Sequence, residues 1–327
     1  MPDAALLVPN WNGGQRLARL LCSARRQTCS FAEILVVDNG SSDGSPEEAE
    51  RRGARVLRLE ANLGFARAVN AGLKHVSAPW LAIVNNDVEL AADWLERLFE
   101  ACRQSDVWFA TGRLYSAERD GRLDGTFDTL CRGACAWRAG AGRPDSPVFA
   151  QQRRIRLASF TATLLRTDLF NKVGELDEEF ESYIEDLDFF LRCARLGFEG
   201  MYVPAAVAWH EGSGTLGRWH PEVVRRIARN QLWIVAKHYP KGWVWRLGWP
   251  ILVAQSLWGL VALRHGAGRA YFKGKLEGLA RYREIRKRHT PPSSNFARLL
   301  YASELELLDL QRRLGFDWYW KLYFALT

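Results

Sequence analysis

The sequence has few of the features that mark disulfide-rich, zinc-binding or secreted proteins. Its 327 residues include only six cysteines, and the closest pair, Cys131 and Cys135, has no second pair to complete a zinc site. Reduced thiols are therefore expected, as in a cytosolic protein. No basic and apolar leader precedes the strand-like run at residues 5–8, so we expect no signal peptide.

Long apolar runs and a dinucleotide-binding glycine turn are also missing. The longest mostly apolar stretch covers residues 249–263, with Gln255 inside it, and its 15 residues are fewer than the ~20 that a membrane-spanning helix needs. The first predicted strand leads into PNWNG at 9–13 and not into a GxGxxG turn. This difference argues against a nicotinamide dehydrogenase.

The charge of the chain is unevenly distributed. The net charge is +8, yet residues 1–210 contain 25 Lys and Arg against 29 Asp and Glu, whereas residues 211–327 contain 20 against 8. A basic segment indicates an anionic partner, either nucleic acid or a membrane surface. Nine of the fourteen tryptophans lie from Trp209 onward. Their concentration beside the apolar run favours a membrane interface over nucleic acid.

The first third of the chain alternates between strand and helix patterns. A helix after the second strand is predicted to start at a capping box, SPEE at 45–48, with proline at its first position. Such βαβα alternation predicts an α/β fold with a mostly parallel sheet flanked by helices. Strands are predicted at residues 5–8, 34–37, 55–59 and 80–84.

After residue 112 the sequence predicts fewer regular elements. Residues 113–156 are rich in Gly, Arg and Asp with little periodicity, and we expect a long loop that covers the site. A helix is predicted to start near Asp186, a strand at 200–203, and a helical extension at Pro221.

Two carboxylates follow buried strands of the predicted sheet. Asp38 ends the run LVV at 35–37, and Asp87 follows the run IV at 83–84 and the two amides Asn85 and Asn86. The carboxyl ends of such strands form the crevice where open α/β sheets bind nucleotides. Asp87 could hold a divalent cation on a diphosphate or cap the next helix. Asp38 could bind a base or ribose, or close a tight turn.

Further candidates lie at residues 175–188 and at His210. The first stretch contains eight carboxylates without Lys or Arg, so their charges need water, a cation or a helix N-terminus. At the start of the predicted helix, Asp186 could take the proton of an attacking hydroxyl as a general base. Glu185 is a weaker, supporting candidate. His210 precedes a glycine-rich turn, where a structural role and a metal-binding role both remain open.

Taken together, these segments resemble the inverting, GT-A fold glycosyltransferases of family 2. Within that family they are most similar to bacterial enzymes of cell-wall, O-antigen and capsule assembly, which include rhamnosyltransferases. Each segment is short, but their order along one chain is specific. The matching segments are VPNWNG at 8–13, VVDNGSSD at 36–43, EANLGF at 60–65, NAG at 70–72, NND at 85–87, YIEDLD at 183–188, and VP at 203–204 before WH at 209–210.

The resemblance implies roles for individual positions. Asp186 matches the catalytic base, with Glu185 beside it. Asp87 matches the last acid of the metal-binding DxD motif, in which Asn85 replaces the first acid, and His210 matches a metal- or diphosphate-contacting histidine. The implied cofactor is Mg²⁺ or Mn²⁺. The positions that match nucleotide-binding residues are Pro9, Trp11, Asp38, Asn62, Asn70 and Asn86.

The sequence thus predicts a GT-A catalytic domain at residues 1–215 and a helical, basic, tryptophan-rich extension at 216–327 on the inner face of the cell membrane. The expected reaction is inverting transfer from a nucleotide-diphosphate donor, first dTDP-L-rhamnose, to a hydroxyl of a polyprenyl-diphosphate-linked or polysaccharide acceptor. Nucleic acid is not an expected partner. The alternatives are a UDP-hexose or UDP-N-acetylhexosamine donor, a catalytically silent nucleotide-sugar-binding subunit, and an extension that packs as core helices.

Overall fold

A computed structural model describes residues 3–104, 106–212, 216–288 and 295–327 of the chain. It divides into two compact units, Met1–Phe127 with Gly140–Thr215, and Asp128–Ala139 with Leu216–Thr327. The segment at 128–139, which the sequence predicts to be part of the catalytic domain, packs with the C-terminal helices instead.

The first unit begins with the predicted alternation of strands and helices. Its first elements are β1 (Ala4–Asn10), α1 (Gly14–Arg25), β2 (Glu33–Asp38), α2 (Ser45–Arg51), β3 (Arg55–Arg58), α3 (Phe65–Leu73) and β4 (Trp80–Val84). The four strands are parallel, and Leu6 of β1 lies between Ile34 of β2 and Ala82 of β4. Both faces of β1 and β4 are buried, which explains their continuous apolar sequences.

The remaining strands complete a mixed, mostly parallel sheet. The next elements are β5 (Val88–Leu90), α4 (Trp94–Cys102), β6 (Val107–Ser116), β7 (Leu123–Gly125), β8 (Asp128–Leu130), β9 (Ala136–Arg138), β10 (Arg153–Ile155), β11 (Ala162–Arg166), α5 (Asp168–Val173), α6 (Glu185–Arg195) and β12 (Glu199–His210). The strand order is β10-β12-β6-β11-β4-β1-β2-β3, with β5 on β12 and β7 on β6. β8 and β9 pair with each other in the second unit.

Two local predictions are wrong. Residues 113–156 are not one long loop, because they contain the end of β6, four further strands and a 3₁₀ turn at Pro147–Phe149. The four strands have only three residues each, which is too short for a visible alternation of polar and apolar residues. The capping box at 45–48 also does not form, since Ser45 lies inside α2 and its hydroxyl bonds to Asp43 and Asn10.

The last strand of the first unit is much longer than predicted. β12 continues beyond residue 203 to His210, after a register shift between Val203 and Val207. This irregularity interrupts the alternation on which the prediction relied. His210 pairs with Val88 of β5, so the strand carries the imidazole to the residue that follows Asp87.

The second unit consists mainly of helices: α7 (Pro221–His238), α8 (Trp243–Arg264), α9 (Gly268–Arg288), α10 (Asn295–Leu314) and α11 (Trp318–Leu326). α7 and α9 approach closely at two glycines of α9. A Cβ atom on Gly274 would collide with the carbonyl oxygen of Arg225, and one on Gly278 would lie 3.0 Å from the carbonyl oxygen of Arg229. Small residues at these positions therefore determine the distance between the two helices.

The apolar run at 249–263 belongs to a helix that is longer than the run itself. Within the described residues, one helix segment, Trp245–Arg264 of α8, is long and apolar enough to cross a membrane, because the helix starts before residue 249 and continues through Pro250. Length and composition alone are weak evidence, since a core helix passes the same test. Indeed, 44% of its most apolar window is buried inside the protein.

Candidate active site

Asn10 connects the carboxyl ends of three strands. Its amide nitrogen donates to Asp38 Oδ1 at 3.1 Å and to Ser45 Oγ at 2.9 Å, and its amide oxygen accepts from Asn86 Nδ2 at 2.9 Å. Asn10 and Asp38 are both buried. Gly13 is required beside them, because a Cβ atom there would lie 2.8 Å from Asn86 Nδ2. This network brings the predicted residues Asp38 and Asn86 into one site.

The turn after β2, at Asn39 and Gly40, holds the loop before α3 in place. The amide group of Asn39 donates to Asn62 Oδ1 and to the carbonyl oxygen of Gly64, both at 3.1 Å, and accepts from the Leu63 amide at 2.9 Å. Gly40 has a positive φ of 76°, and a Cβ atom there would lie 2.8 Å from Ala61 Cα. Asn62 is thus exposed but fixed beside the end of β2.

The other predicted nucleotide positions differ in their surroundings. Pro9 pairs with Val37 at the end of β1, and Trp11 follows the strand as a half-buried side chain. Asn70 is buried in α3, where its nitrogen donates to the Leu176 carbonyl oxygen and to Glu178 Oε1 and its oxygen accepts from the Leu176 amide. Since both donors of Asn70 are used within the protein, its contacts support a positioning role and give no support to nucleotide binding.

His210, the last residue of β12, lies between the carboxylates of Asp87, which follows β4, and Asp124 of β7. Its Nε2 is 3.1 Å from Asp87 Oδ1, and its Nδ1 is 2.8 Å from Asp124 Oδ2. The backbone amide of Glu211 also donates to the carbonyl oxygen of Asp87 at 3.1 Å. The structure therefore brings together the two predicted metal-site residues and adds Asp124.

The charge of this cluster follows from its contacts. Burial lowers the pKa of His210, but the carboxylates of Asp87 and Asp124 outweigh it and raise the pKa to about 9. An imidazolium at neutral pH can donate to both carboxylates. To bind a metal, as the sequence predicts, His210 would have to lose a proton and its contact with Asp87.

The donor set fits a hard divalent cation that is shared with a substrate. Among the described residues, no group of three or more His, Cys, Asp or Glu side chains is placed to hold a metal ion. Asn85 and Asp87, however, follow the end of β4 two residues apart and carry an amide oxygen and a carboxylate. Mg²⁺ in nucleotide sites commonly takes one or two carboxylates and completes its shell with phosphates and water.

Asp186 lies in the first turn of α6, after a strained loop. The residues before the helix include Glu181, Tyr183 and Ile184 with φ values of 59°, 70° and 73°. Such values are uncommon for residues other than glycine, and strained segments of this kind concentrate at functional sites. Asp186 is partly exposed and accepts from the Leu187 amide at 2.7 Å, whereas Glu185 is buried.

The strained loop also contacts the loop that carries Asn62. The Ala66 amide donates to the carbonyl oxygen of Glu181 at 2.9 Å, and the Phe65 amide donates to Ser182 Oγ at 3.0 Å. The start of α3 therefore connects the segment of Asp186 with a predicted nucleotide-binding residue.

Two connecting residues were missed by sequence reasoning. Asn10 lies in the matching segment at 8–13, but a buried asparagine at a strand end gives no sign of which partners it will meet. Asp124 lies in a three-residue strand within the stretch predicted to be a loop. Only the pairing of that strand with β6 brings it to His210.

Comparison with known proteins identifies the family. The model of glycosyl transferase family 2 matches residues 5–174, which is more than half of the chain. The chain belongs to this family. That match includes the ends of β1, β2 and β4, where Asn10, Asp38 and Asp87 lie.

Relatives by sequence include an L-rhamnosyltransferase. The family 2 chain is 28% identical over 288 residues to an N-acetylglucosaminyl-diphospho-decaprenol L-rhamnosyltransferase of Mycobacterium tuberculosis, and the match covers 79% of this chain and 90% of that protein. A shorter match, 28% over 125 residues, covers 37% of this chain and 36% of a succinoglycan biosynthesis protein, ExoO, of Rhizobium meliloti.

Solved structures support the fold. GalNAc-T7 with UDP, GalNAc and Mn²⁺ aligns with a TM-score of 0.63 at 13% identity, over 96% of this chain and 58% of that chain. A mannosyltransferase of Pyrobaculum calidifontis with GDP-Man and Mn²⁺ aligns with a TM-score of 0.53 at 16% identity, over 99% and 88%. At these identities the likeness shows the fold alone. The predicted GT-A architecture is confirmed.

Proposed function

We propose that this chain is an inverting glycosyltransferase that transfers L-rhamnose from dTDP-L-rhamnose to a hydroxyl of a polyprenyl-diphosphate-linked saccharide. The observation that carries the proposal is the match to the N-acetylglucosaminyl-diphospho-decaprenol L-rhamnosyltransferase. The match covers nearly all of that relative. A match of this extent includes residues beyond the family domain, so the C-terminal unit is part of the likeness.

The proposed donor site is the edge formed by β1, β2 and β4. Asp38, held by Asn10 and by the Ser41 amide at 3.1 Å, has oxygen atoms suited to a base or ribose. Asn62 is fixed nearby through Asn39. The N-terminus of α1 follows Gly13 at the same edge, and helix N-termini attract the phosphates of a nucleotide.

The proposed reaction is a single displacement with Asp186 as the general base. The carboxylate takes the proton of the acceptor hydroxyl, and the oxygen of that hydroxyl forms a new bond to the anomeric carbon. The bond between that carbon and the diphosphate oxygen breaks, and its electron pair leaves with the nucleoside diphosphate. No covalent enzyme intermediate is required, and attack from the opposite face inverts the configuration.

Asp87, with Asn85 in support, is the proposed ligand of Mg²⁺ or Mn²⁺. A cation bound there would offset the negative charge that develops on the leaving diphosphate. His210 and Asp124 would hold the Asp87 carboxylate in place, because His210 contacts both.

The proposed location is the inner face of the cell membrane, where a polyprenyl-linked acceptor is anchored. The basic excess after residue 210 and the tryptophan-rich α8 support this location. The protein would be peripheral, with its nucleotide-sugar donor in the cytoplasm.

A transfer assay with purified protein tests the proposal. The acceptor is a water-soluble, short-chain analogue of N-acetylglucosaminyl-diphospho-prenol, and the donors are dTDP-L-rhamnose, UDP-galactose, UDP-glucose and UDP-N-acetylglucosamine, each with Mn²⁺ or Mg²⁺. We expect rhamnosyl transfer with inverted anomeric configuration. Transfer from a UDP sugar would replace the donor assignment, whereas donor binding without transfer or hydrolysis would indicate a silent nucleotide-sugar-binding subunit.

A further inference from the structure

Two helices of the second unit, α8 and α9, each expose several large apolar side chains. On α8 they are Trp245, Trp249, Leu252, Leu260 and Leu263, and Trp245 is 92% exposed. Their spacing of 4, 3, 8 and 3 residues keeps all five on one side of an α-helix. The opposite side, with Leu247, Ala254 and Leu257, is buried. α8 is therefore apolar on its exposed side as well as on its buried side.

A second exposed apolar stripe lies on α9. Phe272, Leu276 and Leu279 are all more than half exposed, and their spacing of 4 and 3 residues again defines one side of the helix. Single exposed leucines are common on soluble proteins, but two parallel stripes on neighbouring helices are not.

The two stripes face the same way. α8 and α9 form an antiparallel hairpin, in which Tyr271 donates to the carbonyl oxygen of Gln255 at 2.7 Å and its ring lies 5.7 Å from that of Trp258. At 100° per residue, Gln255 on α8 and Tyr271 on α9 each lie about a quarter turn from the centre of their own stripe, on the same flank. Viewed along one helix, the second helix runs in the opposite direction, so the turn from contact residue to stripe has the opposite sense. Both stripes therefore lie on the same side of the hairpin.

The end of α11 extends this surface. Trp249 Nε1 donates to the carbonyl oxygen of Leu326 at 2.7 Å, which brings the exposed Leu322 and Leu326 alongside α8. We call the stripes of α8 and α9, together with these two leucines, the apolar face.

Basic side chains form a rim beside the stripes, because Arg246 and Arg264 of α8 and Lys273 of α9 lie about a quarter turn from the centre of their stripe. The hairpin sequence at 243–288 contains ten Lys and Arg but only two glutamates, Glu277 and Glu284. Both glutamates are held by arginines, Glu277 by Arg225 and Glu284 by Arg281. Within the described ranges, no acidic partner is found for six exposed members of this set, which are Arg246, Arg264, Arg269, Lys273, Arg283 and Lys287.

From this geometry we infer that the apolar face lies flat on an anionic lipid bilayer, with its basic rim on the lipid headgroups. The inference rests on the proposed function, because a lipid-linked acceptor brings the enzyme to a membrane. A basic rim selects anionic lipid, and an aromatic and aliphatic face inserts into the acyl boundary. A second copy of the chain fits the face less well, since two basic rims would then oppose each other.

Two polar contacts of α8 argue against an orientation in which this helix spans the membrane. Gln255 donates to the carbonyl oxygen of Gly133 at 2.8 Å, and Tyr319 donates to the carbonyl oxygen of Ala254 at 2.8 Å. A helix surrounded by lipid would have to lose these polar contacts and the packing of its buried side. A helix that lies in the interface keeps both.

Vesicle co-sedimentation of the full chain tests the inference. The test variant is Leu276→Gln with Leu279→Gln, at positions 68% and 60% exposed. The matched control is Leu196→Gln with Leu305→Gln, at positions 59% and 64% exposed but outside the apolar face. The vesicles are phosphatidylcholine with or without phosphatidylglycerol.

We expect wild type and control to bind vesicles that contain phosphatidylglycerol and the test variant to bind at least about tenfold more weakly. Transfer to the soluble acceptor should be equal in all three proteins, which separates this inference from the proposed function. Equal vesicle binding by the test variant and the control would overturn the inference. So would a dimeric wild type in light scattering that becomes monomeric only in the test variant, because a second copy would then cover the face.

Discussion

At the scale of single residues, the candidate site depends most on Asn10. A buried amide that satisfies Asp38, Ser45 and Asn86 at once holds three strand ends in register with one another. Leaving a buried polar partner unpaired costs about 1–3 kcal/mol per group, so loss of the Asn10 amide should destabilise this arrangement. These hydrogen bonds fix the side chains at the edge of the sheet where the donor site is proposed.

Replacement of Asp186 tests the proposed base. Asp186→Asn keeps the shape of the side chain but cannot accept a proton, so turnover should fall roughly 10²–10⁴-fold while donor affinity stays near that of wild type. Initial rates at saturating donor and calorimetric titration of the nucleotide measure the two quantities.

Asp188 provides the comparison on the same helix. It is fully buried and pairs with Arg192 at 3.0 Å, so Asp188→Asn should lower the free energy of unfolding by up to about 3 kcal/mol without a comparable loss of turnover per folded molecule. Turnover of Asp186→Asn close to wild type would remove Asp186 from the mechanism.

Replacement of Asp87 tests the proposed metal ligand. In Asp87→Ala, the diphosphate would meet the site without a bound cation, so the increase in nucleotide affinity produced by Mn²⁺ should disappear. Calorimetric titration of the nucleoside diphosphate with and without Mn²⁺ measures this increase. Asp120→Ala, an acid at the surface beside Arg122, is the control and should retain it. An unchanged Mn²⁺ effect in Asp87→Ala would refute the assignment.

At the scale of elements, glycines of α9 allow α7 and α9 to pack closely. A methyl group at Gly274 would collide with the carbonyl oxygen of Arg225, so Gly274→Ala should destabilise the protein by about 1–3 kcal/mol. Among the described residues, no neighbour comes within 4 Å of a Cβ atom added to Gly248 of α8, and Gly248→Ala should stabilise the helix by about 0.5–1 kcal/mol. Thermal unfolding would show shifts of opposite sign. A shift in the same direction would mean that helix propensity and not packing dominates at Gly274.

Lys275 connects three helices of the second unit and should make its stability depend on pH. Its ammonium group donates to the carbonyl oxygen of Ala228 at 2.8 Å and to the side-chain oxygens of Gln231 and Gln255. Burial lowers the pKa of Lys275 to about 7, against a smaller opposing effect of Cys135. In the unfolded chain the pKa is about 10.4.

Between about pH 7 and pH 10 the unfolded chain therefore binds a proton at Lys275 that the folded chain lacks, so Lys275 contributes a rise of the free energy of unfolding with pH in this window. His210, whose pKa folding raises to about 9, contributes a fall up to about that pH, so the slope of wild type is compared with that of the variants. Lys275→Met should remove this rise, whereas Lys273→Met at an exposed position should keep it. Urea unfolding at several pH values measures the slopes. Parallel slopes for wild type and Lys275→Met would contradict the prediction.

At the scale of the whole molecule, charge and apolar surface are divided between the two units. Residues 211–327 carry a net charge of +12 (20 basic minus 8 acidic) against −4 for residues 1–210 (25 minus 29), and the second unit carries most of the exposed large apolar side chains. This division supports the proposed peripheral position, because the features that would attract lipid lie in one part of the chain.

Salt should separate the two contributions to membrane binding. Each well-placed basic residue adds ~1 kcal/mol of attraction to anionic lipid, and this attraction is screened at high ionic strength. Binding of the full chain to phosphatidylglycerol vesicles should therefore fall as salt rises but remain measurable, because the apolar contribution is not screened. Complete release at high salt would show that no apolar surface inserts, and insensitivity to salt would show that the basic rim is not used.

The sequence by itself determined the family, the α/β class and most elements of the first hundred residues. Continuous apolar runs such as those of β1 and β4 are local signals, and so are the polar residues that end them, Asp38 and Asp87. The tendency of α6 to begin near Asp186 was equally local. Each of these features depends on neighbours in the chain, which is why a sequence pattern can predict it.

Only the tertiary structure decided which groups meet. The three-residue strands that carry Asp124 to His210 have no periodicity of their own, and the register shift in β12 hides the length of the strand that carries His210. The partners of Asn10 and Asn70 lie 28 to 108 residues away in sequence, at distances that no local pattern encodes. The common direction of the stripes on α8 and α9 likewise follows from antiparallel packing, which the amino-acid order of either helix leaves open.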